Sequence, residues 1–408
     1  MTSPTTAHQT FWLGIDVAKN FHQSVLVDQQ NQPLGESLKF SNNQEGFGKL
    51  IAELDNHLVV QKDFVTVALE STGNYWQHLA HFLYDKGCRI VLVNPIQTQQ
   101  LSKIHIRKVK NDKVDARRII QVAQNKKHPH YWVPNEKQER LKKLTRFAFR
   151  LDRQINFLEE QIINLIDSIC PELQQYFKQF FISRTAMAIL EKWSDLRKLD
   201  RIRDNTFTEF LRKKSRGHIK KDKALKILQS IRKSIASNNR DELSKMELQM
   251  SIQQLKQLRN QLKVVKEKAV GLAKEYYLEE FKYINSVIGI SEFMTAVNLA
   301  EIGDINKFDT KEKLVAFAGL DPSVKQSGNY TRKQGNHISK RGSKYLRKHL
   351  YHAAQAAIMF DPELKKWYQK KKAQGKHYNV CVCAIARKIL CRIYAVWKEQ
   401  REYVVRKS

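Results

Sequence analysis

Between Phe11 and about His130, short β-prone runs alternate with helical patterns. Trp12 to Val17, Ser24 to Asp28 and Glu36 to Phe40 read as three strands, the third after the turn-forming Asn31-Gln32-Pro33, and together they predict a meander. A helical pattern around Phe47 to Leu58 leads into a strand over Val65 to Leu69, a helix over Tyr75 to Lys86 and a strand over Arg89 to Val93. Strand, helix, strand implies a parallel portion of the sheet. Gly73-Asn74 marks the turn after Glu70, and Asn94-Pro95 opens another helix.

The middle of the chain has a different period. Leu141, Leu144, Ala148, Leu151, Ile155, Leu158, Ile162, Leu165 and Ile169 step by three and four until Pro171 stops the helix, the pattern of a coiled-coil seam. A second seam runs through Leu248, Leu255, Leu258, Leu262, Val265, Ala269 and Leu272. Either the two helices pair as an antiparallel hairpin or each pairs with a copy from another subunit, and periodicity fits both. Between them, residues 172–245 read as a basic helical insertion carrying Arg212-Lys213-Lys214 and Lys220-Lys221, either facing nucleic acid or a solvated charge run. From Phe281 onward, glycines punctuate short helical patterns, a Lys/Arg-dense stretch runs from Lys325 to Lys348, and the apolar helix Val380 to Val396 is suited to closing a core. The expected domains are 1–135, 136–280 and 281–408.

Charge narrows the function. Seventy-two Lys and Arg against 41 Asp and Glu leave a net charge of +31, which asks for a polyanionic partner, nucleic acid first. A hydrophobic content of 42% is enough to bury a core and excludes a wholly disordered basic protein. No apolar stretch approaches the length of a bilayer span, and Met1 to Thr10 lacks the order of a signal peptide, so the expected location is cytoplasmic, nucleoid-associated when on DNA, with no membrane partner. Cys88, Cys170, Cys381, Cys383 and Cys391 form no CxxC pair and read as reduced core thiols rather than zinc ligands. The neighbouring His349 and His352 read as structural.

Against this background four carboxylates stand out. Asp16 lies in the apolar strand Leu13-Gly14-Ile15-Asp16-Val17, where an unpaired charge is expensive. Glu70 ends the strand Val65 to Leu69, and strand ends at one edge of an open α/β sheet are where ligands gather. Asp112 and Asp115 stand three apart in Asn111-Asp112-Lys113-Val114-Asp115-Ala116, so on a helix they share a face. Any one of them could be an ordinary surface carboxylate; together at one sheet edge they need cations among them, and hard oxygen ligands suit Mg²⁺ or Mn²⁺. Two such ions can activate a nucleophile and stabilise the leaving oxygen in phosphodiester chemistry.

The order strand Asp, strand Glu, helical Asp-x-x-Asp resembles the RNase H-like fold of RuvC-type junction resolvases. Leu13 to Lys19, Leu69-Glu70-Ser71-Thr72-Gly73, Asn94-Pro95 and Lys110 to Ala116 more closely resemble the amino-terminal domain of the DEDD transposases of insertion sequences, a family that includes the Piv-type DNA invertases and the bridge-RNA-guided recombinases. A second set of motifs, Ile288-Gly289-Ile290, Leu299 to Ile305, Leu314 to Pro322, Gln326-Ser327-Gly328 and Ile338 to Arg347, is similar to that family's other domain. Ile290-Ser291 departs from the glycine repeat expected there.

The resemblance implies an α/β RuvC-like amino-terminal domain, a coiled-coil middle and a mostly α carboxy-terminal domain with a helix-hairpin-helix-like start. It implies that Asp16, Glu70, Asp112 and Asp115 bind metal and that Ser327 is the nucleophile, forming a covalent phosphoserine. Arg332, Lys333, Lys340, Arg341, Lys344 and Arg347 would position phosphates. The implied partners are element-end and target DNA, a structured guide RNA, and further copies of the chain, as a dimer or as a tetramer on DNA. Two rivals stand beside this reading: a metal-dependent, Holliday-junction-type structure-selective nuclease using water, with Ser327 structural, and a basic nucleic-acid scaffold with ion-paired carboxylates.

Overall fold

A computed structural model describes residues 11–57, 65–71, 73, 75–104, 112–125, 131–177, 183–322, 326–327, 330–331 and 337–405. Two compact units divide the chain, Met1–Asn135 and Glu136–Ser408.

The first unit is a mixed sheet covered on both faces. β1 (Phe11–Asp16), β2 (Phe21–Val27) and β3 (Leu38–Ser41) form an antiparallel meander. After α1 (Gln44–His57), β4 (Val65–Glu70) pairs parallel with β1; after α2 (Tyr75–Asp85), β5 (Arg89–Val93) pairs parallel with β4. α3 (Pro95–Ile104) and α4 (Asp112–Gln124) follow, and β6 (Tyr131–Trp132) adds an antiparallel edge, giving the order β3-β2-β1-β4-β5-β6. This mixed topology is compatible with an RNase H-like fold.

Alternation along the strands decides which helix covers which face. Leu13, Ile15, Val67 and Leu69 face Phe47, Leu50 and Leu54 of α1 and Leu79 and Leu83 of α2. Ala68, Val91 and Val93 face the other way, onto Ile119, Val122 and Ala123 of α4. Gly14 belongs to this second face, and a Cβ there would stand 2.2 Å from the Ala116 carbonyl oxygen, so α4 lies against β1 at a distance only glycine permits.

In the second unit, α5 (Glu136–Ile169) is followed by α6 (Glu172–Gln175), α7 (Arg184–Lys192), α8 (Asp204–Lys214) and α9 (Lys221–Arg232), then by α10 (Glu242–Tyr276). α5 and α10, of 34 and 35 residues, pack antiparallel within the chain. Leu141 clusters with Ala269 and Ala273. Arg259 bonds Glu159 at 2.6 Å, and Ile155 to Ile169 meet Leu248, Ile252 and Leu255. Of the two arrangements that periodicity allows, the described contacts are those of the hairpin. α6 to α9 sit on its closed end, sharing one apolar cluster through Trp193, Phe207, Leu211 and Ile231.

The remaining helices are α11 (Leu278–Asn285), α12 (Glu292–Ile302), α13 (Lys311–Ala318), α14 (Lys344–Phe360), α15 (Pro362–Ala373) and α16 (Tyr378–Lys398), with a short hairpin of β7 (Gln326–Ser327) and β8 (Tyr330–Thr331) between α13 and α14. Val382, Ile385, Ile389 and Ile393 of α16 are fully buried in the core they close. No helix among the described residues is long and apolar enough to cross a membrane.

Candidate active site

The last paired residues of β1 and β4 are Ile15 and Leu69. The next residue on each strand is a carboxylate, Asp16 and Glu70. Neighbours on parallel strands project to the same side, and two-residue alternation from Gly14 and Ala68 puts both carboxylates on the face that α4 covers. Both are half-buried. Thr98, on α3, donates its hydroxyl to Glu70 Oε2 at 2.7 Å.

Asp115 lies on α4 directly before Ala116, the residue that touches Gly14. Its Oδ1 accepts a 2.6 Å bond from Arg118 Nη1, whose side chain is only 11% exposed. Asp112 opens α4 one turn earlier, and its side chain lies outside the described residues. The structure thus brings Asp16 and Glu70 side by side and sets the Asp-x-x-Asp helix on the same face. It does not gather them further: among the described residues no three His, Cys, Asp or Glu side chains form a metal-holding group. Asp16, Glu70 and Asp115 offer hard carboxylate oxygens of the kind Mg²⁺ or Mn²⁺ takes, and the Arg118 guanidinium stands at Asp115 where a cation would compete.

Ser327 lies in the second unit, paired with Tyr330 across the β7–β8 hairpin. Its side chain, and Arg332 and Lys333 entirely, lie outside the described residues. The chain around the hairpin is closed at its base. Pro322 and Ile338 form a β-bridge, Ser339 N–H donates to the Asp321 carbonyl at 2.8 Å, and the Ser339 hydroxyl bonds the Asp321 carboxylate. Lys340 takes a left-handed backbone, φ 54°, and its N–H donates to the Gly319 carbonyl. Gly342 follows at φ 120°, where a Cβ would stand 2.0 Å from the Phe317 carbonyl oxygen.

This folded-back strap delivers the basic helix. Ser343 caps α14, accepting from Leu346 N–H, while its hydroxyl donates to Glu301 Oε2 at 2.8 Å. Lys340, Arg341 and Lys344 are exposed. Arg347 is half-buried and gives one N–H to the Ala318 carbonyl at 3.0 Å, tying α14 to α13. His349 is a core residue: burial first, then His352, Lys266 and Lys348, pushes its pKa down to about 3.

Glu301 had no role of its own in the sequence beyond its place in the Leu299 to Ile305 run. It is buried on α12, and burial opposes its ionisation; the two-pronged bond from Arg146, the nearby Lys142 and the Ser343 hydroxyl nevertheless hold its carboxyl below the ordinary range. Burial lowers the pKa of Lys142 in turn. The signal was present in Leu299-Ala300-Glu301-Ile302, an acid in an apolar run, as with Asp16.

Residues 13–171 match a family of DEDD transposases of the IS110 group, described as Transposase, and residues 282–369 match one described as Transposase IS116/IS110/IS902 family. The chain belongs to the IS110-type transposases. It is therefore an enzyme of DNA transposition and recombination. Over 394 residues it is 24% identical to the pilin gene-inverting protein of Moraxella bovis, covering 96% of this chain and 97% of that one. Over 407 residues it is 24% identical to the uncharacterized 44.8 kDa protein of insertion element IS116 from Streptomyces clavuligerus, covering 97% of each. A shorter match, 32% identical over 118 residues, is to the uncharacterized 42 kDa protein of insertion element IS900 from Mycobacterium paratuberculosis. All three matches agree with the transposase family, and the acidic face of the first unit and the serine strap of the second both fall within the matched spans.

Proposed function

We propose that this transposase cuts and rejoins DNA through a covalent phosphoserine. The Ser327 hydroxyl attacks phosphorus; a bond from phosphorus to a deoxyribose oxygen breaks and a phosphoserine ester forms, so one phosphoester replaces another and strand rejoining needs no outside energy. Asp16, Glu70, Asp112 and Asp115 would hold Mg²⁺ or Mn²⁺, which when bound supplies charge stabilisation at the scissile phosphate. Lys340, Arg341, Lys344 and Arg347, with Arg332 and Lys333, position the DNA backbone. The observation that carries the reading is the Ile15–Leu69 pairing, which sets Asp16 beside Glu70 on the face covered by the helix of Asp115.

Guidance by a structured RNA and assembly as a dimer, or as a tetramer on DNA, belong to the same reading. The net charge of +31 exceeds what one duplex contact needs, which favours a second polyanion. Leu243, Met246 and Met250 share one face of α10 and are 69%, 53% and 62% exposed, an apolar row suited to a second copy of the hairpin.

Substitution separates this reading from a water-using nuclease and from a scaffold. Asp16→Asn stops strand cleavage in both enzymes and leaves a scaffold's DNA binding intact. Ser327→Ala stops cleavage only in the recombinase, so Mg²⁺-dependent cutting by Ser327→Ala would select the nuclease.

A further inference from the structure

The basic insertion lies between the two matched spans, 13–171 and 282–369. Its charges are not evenly placed. At the end of the insertion that joins the long hairpin, the carboxylates are taken up by arginines. Arg197 holds Asp195 and Glu242 at 2.8 and 2.7 Å, Arg240 holds Asp200 at 3.3 Å, and Arg232 holds Asp204 at 2.9 Å. Arg240 also donates to the Ile169 carbonyl at the end of α5.

The opposite end is different. The α8–α9 turn stands at the other end of α9 from Arg232, roughly 16 Å away at the helical rise. Lys213, Lys214, Arg216, Lys220, Lys221 and Lys223 crowd around it, all exposed, with Asp222 among them. The turn is open to solvent: Gly217, at φ 82°, has nothing within 4 Å of where a Cβ would stand. It is also braced. Gly217 N–H donates to the Arg212 carbonyl at 2.9 Å, Ile219 N–H donates to the Ser215 hydroxyl at 3.0 Å, and Ile219 is buried beneath. A braced, exposed turn of like charge repels itself unless a polyanion lies against it.

We propose that the α8–α9 turn is a sequence-independent contact for the phosphate backbone of duplex DNA, separate from the reacting site. A single strand would need open aromatic platforms. The nearby rings are covered instead: the Lys192 ammonium lies 4.4 Å over Phe210 and 4.6 Å over Trp193, and Lys214 lies 5.8 Å over Phe210. The cluster is mostly lysine, a point charge on a long stem that meets phosphate oxygens without demanding a sequence. The inference rests on the DNA-acting reading for its choice of polyanion.

The test is the salt dependence of full-length protein binding to duplex DNA of arbitrary sequence. One variant carries Lys213→Gln, Lys214→Gln, Arg216→Gln, Lys220→Gln and Lys221→Gln; a milder one carries the last two alone. A control removes the same charge from α15 and its end, at Lys365, Lys366, Lys370, Lys372 and Lys376. Each lost phosphate contact removes about 0.9 from the slope of log affinity against log salt, so the five-residue variant is expected to lose about 3 or more, the two-residue variant about 1 to 2, and the control less than 1. Unchanged melting temperatures confirm that the variants fold. Equal slope changes in tip variant and control, no change in either tip variant, or a change seen only with an RNA hairpin would overturn the proposal. Failure of the catalytic reading would instead appear as cleavage by Ser327→Ala, which this measurement does not touch.

Discussion

Arg146 donates to both carboxylate oxygens of Glu301, at 2.8 and 3.1 Å, and joins the first turns of α5 to the buried helix α12. Because Glu301 also receives the hydroxyl of the α14 cap Ser343, one carboxylate holds three helices where the serine strap ends. Glu301→Ala leaves Arg146 and the half-buried Lys142 without their counter-charge, and is expected to cost about 2 kcal/mol in chemical denaturation.

The same carboxyl sets a pH dependence. Held below its ordinary value of 4.5, it binds a proton less readily folded than unfolded. Its contribution is complete above that ordinary value and is lost as the pH falls through the folded one. The gap in melting temperature between the wild type and Glu301→Gln is therefore expected to be widest near neutrality and to narrow below pH 4.5. A gap independent of pH would contradict this.

Gly14→Ala would drive a methyl to 2.2 Å from the Ala116 carbonyl oxygen and push α4 off β1. The expected loss is about 2 kcal/mol of stability, the cost of overpacking, together with loss of recombination because Asp112 and Asp115 move away from Asp16. Denaturation midpoints and a recombination assay on the same preparation check both.

Removing the Arg118 guanidinium releases Asp115 for a cation. Since Asp115 is 31% exposed, the pair is expected to be worth up to about 1 kcal/mol, so Arg118→Gln should tighten Mn²⁺ binding about two- to fivefold in calorimetric titration. Weaker binding in that variant would contradict the assignment of Asp115 to the metal.

The exposed row on α10 supplies a test of assembly. Met246→Lys with Met250→Lys is expected to shift the protein toward monomer in light scattering and to abolish recombination. Normal recombination from a confirmed monomer would refute the oligomer.

Legibility in the sequence followed the range of the interaction. The strand runs around Ile15 and Leu69 were readable because burial on a sheet leaves local alternation, and the acids ending them stood out against apolar neighbours. The seam of α5 was equally local, but its partner was not: nothing in a heptad says whether Leu255 meets the same chain or another. Glu301 and Arg146 lie 155 residues apart, and no periodicity links them. β6, of two residues, is too short to show alternation at all. Gly14 reads as an ordinary strand glycine until Ala116 is placed against it.

The central claim is most directly tested by incubating the protein with its flanking DNA and Mg²⁺, denaturing the mixture, and searching for a protein–DNA adduct whose attachment site is mapped by mass spectrometry. The account predicts an adduct on Ser327, absent from Ser327→Ala and from Asp16→Asn. Cleaved DNA without an adduct, with Ser327→Ala cutting as well as wild type, would contradict it.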